Sequence, residues 1–311
     1  FDERIVDFWD CSIVKFDSRE LVSWGLDPSG SDRLGFKRRA LAEFENKPII
    51  LVKEFGNNPN LIIERAREKA RIRLKALQIA LSASPILHDE NLLFDLSDYS
   101  VFRKVDNSRS VSVSWKRKRQ PYAFKYNKTL EDFLTNTSQA LNIVKSFNPK
   151  IQGIIEIAIY WIGKSIDEEE PDQKVIALCT AMETLLTSKC DGKKGEAIAY
   201  RMMLLNSLLE EAFIDPVKIL WIYDLRSKVI HGSSRSEATM AEYYTMLLSA
   251  RETLYNFIKF VDKEKIKKLS QFINKLNASD KVKPVIEWLG KCSSKNAKKI
   301  KDALEVTISK Q

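Results

Sequence analysis

The chain has 311 residues, 44% hydrophobic and 30% charged, which excludes a disordered polypeptide and leaves room for two domains or one domain with extensions. A net charge of +9 favours anionic partners, nucleic acid first and a membrane surface second, although plain solubility explains that charge equally well. The longest apolar run, Ile154–Gly163, is broken by Glu156 and is too short to cross a bilayer, so no spanning segment is expected, and a membrane is not the partner expected.

Residues 1–60 read as mixed. Arg4–Trp9 and Cys11–Phe16 have strand-like content, Pro28–Asp32 is a loop, and Pro48–Phe55 reads as a buried strand closed by the turn Gly56-Asn-Asn-Pro59. Asn60 is expected to cap an amphipathic helix through about Ser82, with Leu61, Ile62, Ala66, Ala70, Leu74, Leu77 and Leu81 on one face. The opposite face carries Arg65, Arg67, Lys69, Arg71, Arg73 and Lys75, and is expected to be a solvated surface rather than a phosphate track. His88 falls in a loop after Pro85 and has no expected chemistry.

Residues 92–126 turn to β character, with Val111, Val113 and Trp115 alternating and Tyr122, Phe124 and Tyr126 alternating again. Between the two runs lies a basic turn, Lys116-Arg117-Lys118-Arg119. Trp115, these four residues and Tyr122 together form a candidate site for single-stranded RNA, by backbone charge and base stacking. The competing reading is an exposed hairpin tip whose aromatic residues belong to the local core.

From Thr129 the period becomes helical, with helices expected near 130–147, 150–166, 172–188, 195–212, 216–231 and 236–262. The expected class is therefore α+β: an N-terminal mixed α/β domain over 1–128, a helical bundle over 129–262, and a lysine-rich helical extension over 263–311. Apolar residues still recur past Asp262, so the extension reads as two or three packed helices able to lend basic surface to an RNA cleft. Four cysteines without C-x-x-C spacing and two distant histidines argue against a zinc site and for a reducing cytoplasm. The chain starts at Phe1 with no visible secretory leader, and is compatible with a longer parent.

The stretch Trp221–Gly232 holds one of the two histidines. Its apolar residues recur at helical spacing, and Gly232 suits the left-handed position just past a helix end. His231 is thereby placed at the close of that helix. Histidine is the side chain ordinarily suited to proton transfer near neutral pH. Arg226, five residues earlier in the pattern R-x4-H, suits a phosphate. The plainer alternative is a histidine that satisfies terminal carbonyls and an arginine that bridges helices.

The segment Tyr-Asp-Leu-Arg-Ser-Lys-Val-Ile-His-Gly (223–232) and the upstream Ile176–Leu186 resemble the ApeA-like branch of the HEPN family, over roughly residues 131–262. The resemblance implies an all-α HEPN bundle and an R-x4-H ribonuclease. It needs no cofactor and no metal. Arg226 and His231 are the implied catalytic pair, with Ser227 and Glu183 in support, Glu183 pairing with Arg226 or His231. It implies a homodimer, because one histidine does not readily serve as both base and acid, and it implies RNA (tRNA or another single-stranded loop) as substrate. The expected products are a 2′,3′-cyclic phosphate and a 5′-hydroxyl.

The biological setting implied is antiphage defence by abortive infection, or a toxin, with a phage-derived trigger or a cognate inhibitor as a further partner. Residues 1–128 are the expected sensor or regulatory part. The family variant that carries a tyrosine two residues after the histidine is not matched, because position 233 is serine. The rival expectation is a non-catalytic HEPN module that dimerises and binds RNA or protein. A DNA-binding regulator is disfavoured by the lack of a recognition helix.

Overall fold

Proline sets the start of several helices: Pro59, Pro149, Pro171 and Pro216 each stand at the first helical residue, where the missing N–H has no intrahelical acceptor to lose. The structure is a computed structural model. It describes residues 4–9, 11–15, 48–52, 54–55, 58–81, 135, 137–189, 191–209, 213–232 and 238–309. The chain divides into two compact units, Phe1–Ala80 with Asp89–Gln139, and Leu81–His88 with Ala140–Gln311.

In the first unit, three short strands pair antiparallel in the order β1 (Arg4–Phe8), β2 (Cys11–Lys15), β3 (Pro48–Leu51). Phe8 faces Cys11 across a two-residue turn, and Trp9 in that turn takes φ 58°. A left-handed tryptophan costs about 1–2 kcal/mol. Burial offsets that cost, together with a hydrogen bond donated by the Trp9 amide to Ser138 Oγ at 2.8 Å. The Arg73 guanidinium lies 3.5 Å from the centroid of the Trp9 ring. Arg73 belongs to α1 (Pro59–Leu81), a 23-residue helix. The solvated-face expectation for this helix holds at Arg65 and Arg71, which are exposed, but Arg73 and Lys75 are buried.

The expected α+β class, with its N-terminal mixed α/β domain, is corrected. The described residues are predominantly α-helical. The physical reason is one of scale: the strands are four or five residues each, whereas the helices run from 9 to 25 residues. The β reading leaned on residues 92–126, which lie outside the described residues.

The second unit is a helical bundle. It comprises α2 (Pro149–Asp167), α3 (Pro171–Leu186), α4 (Lys194–Leu208), α5 (Pro216–Ile230) and α6 (Met240–Glu264), then α7 (Leu269–Asn277), α8 (Val282–Lys291) and α9 (Lys295–Ile308). Asn148 caps α2, Asp215 caps α5, and Thr239 with Glu242 forms a capping box at α6. Helix α3 is central, packing on α2, α4, α5 and α6. Val175, Leu178, Cys179, Met182, Leu185 and Leu186 of α3 are all buried. Asp172 in its first turn accepts a hydrogen bond from the Ala238 amide at 2.8 Å, which fixes the entry to α6. Helix α9 lies against α4 and α5. Among the described residues no helix is long and apolar enough to cross a membrane.

Candidate active site

Helix α5 is bounded by side-chain chemistry at both ends. The Asp215 carboxylate accepts from the Val217 and Lys218 amides at 2.9 and 3.4 Å. At the other end His231 is the cap residue (φ −86°, ψ 7°), and its amide donates to the Ser227 carbonyl at 3.1 Å. Gly232 then takes φ +69° and donates to the Val229 carbonyl at 3.1 Å. Space is not what selects glycine here, since an added Cβ meets nothing within 4 Å. The left-handed φ selects it. The His231 side chain is exposed and makes no hydrogen bond or ion pair among the described residues.

Arg226 faces elsewhere. Five residues of helix turn the chain by about 140°, so Arg226 points towards α3 while His231 stands at the open end of α5. No hydrogen bond or ion pair joins the two side chains. The Arg226 Nη2 lies 3.2 Å from Glu183 Oε1, with the arginine side chain 23% exposed. The expected pairing of Glu183 is thus with Arg226.

Glu183 is a hub. Its Oε1 also accepts a 2.6 Å hydrogen bond from Tyr223 Oη, and its Oε2 lies 3.5 Å from Lys194 Nζ on the first turn of α4. Two cations and one phenol therefore converge on one carboxylate, which leaves one unit of positive charge in excess. Burial, and then the bond to Glu183, push the Tyr223 phenol well above its ordinary range, so it stays a donor at every physiological pH. Gly195 makes this approach of α4 to α5 feasible: a Cβ there lies 2.7 Å from Tyr223 Cδ1.

Ser227 is half-buried, and its hydroxyl makes no hydrogen bond among the described residues. Its contribution is through its carbonyl, which receives the His231 amide. Asp224 pairs with Lys299 of α9 at 3.7 Å. Cys179 lies under the hub, and burial pushes its thiol up to about 12, with Arg226 opposing and Glu183 adding to the shift. A fully buried thiol held protonated is packing, not a nucleophile. Among the described residues no three His, Cys, Asp or Glu side chains gather as a metal-binding group.

Of the residues singled out in the sequence, the fold brings Arg226 and Glu183 together and sets His231 and Ser227 on the same helix end. Trp115, Lys116, Arg117, Lys118, Arg119 and Tyr122 lie outside the described residues. The contacts of Lys194 and Tyr223 with Glu183, and of Lys299 with Asp224, are not foreseen from the sequence. A lysine beside the helix-breaking Gly192–Gly195 stretch gave no local signal of a partner on another helix. Compared with protein-family models, with curated proteins and with solved structures, the chain matches none, so any functional assignment rests on its own residues and geometry.

Proposed function

We propose that this protein is a metal-independent endoribonuclease of HEPN type, acting as a homodimer in the cytoplasm in antiphage defence by abortive infection or as a toxin. The observation that carries the reading is a division of labour on α5. Arg226 is oriented by a shared carboxylate yet partly open to solvent, and His231 stands exposed and unengaged at the helix end. The resemblance of residues 223–232 to the ApeA-like HEPN branch supplies the reaction class.

RNA brings its own nucleophile, so the chain has to supply only proton transfer and charge compensation. A histidine base takes the 2′-hydroxyl proton, and the oxygen attacks the adjacent phosphorus to form the 2′,3′-cyclic phosphate. The P–O5′ bond breaks, and a histidine acid returns a proton to the departing 5′-oxygen. Arg226 offsets the charge that gathers on the non-bridging oxygens. Two proton transfers at one phosphate, on opposite sides of the phosphorus, are most readily divided between two imidazoles. A pair of chains, each presenting His231, provides them. Glu183, Tyr223 and Lys194 hold the arginine in place and touch no reacting atom.

A second reading has one observation in its favour. Arg226 already has a carboxylate partner, as an arginine with only a bridging role would. In that reading the protein is a non-catalytic module that dimerises and binds RNA or protein. Incubation of wild type and His231→Ala with total RNA, followed by mapping of cut sites, separates the two. Cutting by wild type that is lost in the variant, with the dimer kept, supports the nuclease. Cutting that is unchanged, or absent in both, rejects it.

A further inference from the structure

Almost all of the excess charge of this chain lies past α6. Residues 265–311 contain twelve lysines and no arginine against four acidic side chains, which is +8 of the net +9. Charged runs on helices are ordinarily solvated faces. Placement decides whether this one is more.

The apolar sides of α7, α8 and α9 are spent on packing: Phe272, Leu276, Val285, Leu289, Ile300 and Leu304 are buried. The lysines are therefore displayed on an ordered surface, and these faces are not left over to enter a bilayer, as a membrane-surface helix would require. Where acids are in reach they are used. Lys275 meets Glu264 at 2.6 Å, and Lys301 meets Glu305 at 3.7 Å. Lys291, Lys295 and Lys298 are exposed and have no ion pair among the described residues. They stand at the last residue of α8, the first of α9 and one turn further on, so they gather at one corner.

That corner is tied to the motif helix by the Lys299–Asp224 contact. Asp224 and His231 are seven residues apart, hence within about 20° of one helix face and separated by about 10 Å along the axis. Lys228 is exposed on that same side, between them.

We propose that the α8–α9 corner is a track for the phosphate backbone of single-stranded RNA, leading along the outer side of α5 to His231. This deepens the nuclease reading and rests on it for the identity of the polyanion. Lysines act here as point charges, so the track does not read sequence. The order of recognition is then backbone capture at α8–α9 and chemistry at the end of α5.

The test is binding of a short 2′-O-methyl oligouridine, which lacks the attacking hydroxyl and so reports binding without cleavage. The full chain is titrated by fluorescence anisotropy at rising salt, beside a Lys291→Gln/Lys295→Gln/Lys298→Gln variant. A second variant, Lys145→Gln/Lys150→Gln/Lys189→Gln, removes the same charge away from α5, α8 and α9. We expect the first variant to bind about tenfold more weakly and to lose about 2 from the slope of log affinity against log salt, at roughly 0.7 per phosphate contact. The second should change little. Equal losses in both variants, or none in either, would overturn the track. So would lysine-dependent binding to phosphatidylserine vesicles without binding to the oligonucleotide. Failure of the chain to cut natural RNA would sink the nuclease reading alone, since the binding result is obtained with the nucleophile blocked.

Discussion

Two arginine–carboxylate pairs sit in the same helical bundle and are built to opposite ends. Arg201 on α4 is 1% exposed, grips Asp191 with both terminal nitrogens at 2.7 and 2.8 Å, and donates a further 2.6 Å bond to the Leu186 carbonyl at the end of α3. Arg226 on α5 gives one nitrogen to Glu183 at 3.2 Å, is 23% exposed, and shares its carboxylate with a tyrosine and a lysine. The first pair is closed on itself and pins a loop to a helix end. The second is held at one edge and open at another. The contrast shows how one residue type is made structural or made available: by the number of its donors that the fold consumes, and by whether water reaches the rest.

The closed pair should give the largest stability effect. Replacing Asp191 by Asn leaves a guanidinium at 1% exposure without its counter-charge, and is expected to cost about 3–5 kcal/mol in denaturant unfolding. The same pair should show in acid. Burial alone would raise the Asp191 carboxyl, but the bonds from Arg201 and the Ser188 amide hold it below its ordinary value of 3.8. Its contribution is therefore present above about pH 4 and is lost as pH falls through the lowered folded value. An acid unfolding curve should show that loss in wild type and not in Asp191→Asn.

For the open pair the effect should move from stability to activity. Arg226→Lys keeps the charge but not the fork, and is expected to reduce RNA cleavage about a hundredfold while leaving thermal unfolding nearly unchanged. A large stability loss with cleavage unaltered would place Arg226 beside Arg201 as a second structural pair and erase the contrast.

The smallest of these effects tests the support beneath Arg226. In Gly195→Ala the new Cβ, 2.7 Å from the Tyr223 ring, must displace the phenol that holds Glu183. About 1–3 kcal/mol of overpacking is expected, with a fall in cleavage but no change in the products. Wild-type activity and stability in this variant would show that the Tyr223–Glu183 bond does not position the arginine.

What was legible in the chain was local. Proline and cap residues, together with the 3.6-residue period, place the helices of the second unit to within a few residues: 216–231 was expected for α5, and Pro216–Ile230 is found. The end at His231 and Gly232 was readable because a left-handed glycine is a property of one position. The contacts that define the site cross between helices, and no periodicity encodes them. Lys194 reaches Glu183 only because Gly195 lets α4 approach Tyr223, and Lys299 meets Asp224 only because α9 folds back onto α5. The alternating residues of 92–126, on which the expectation of a sheet also rested, lie outside the described residues, and the described chain is predominantly helical. Arg73 illustrates the same limit: its neighbours in sequence mark a solvated face, and a tryptophan far away in the chain buries it.

The central claim is that Arg226 and His231 of paired chains act together on an RNA phosphodiester. The most direct measurement is the end chemistry of RNA cut by the wild-type chain, read beside an otherwise identical RNA methylated at every 2′-hydroxyl. The account predicts 2′,3′-cyclic phosphate and 5′-hydroxyl ends on the natural RNA and no cutting of the methylated one. Products ending in 3′-hydroxyl and 5′-phosphate, or equal cutting of both RNAs, would contradict it.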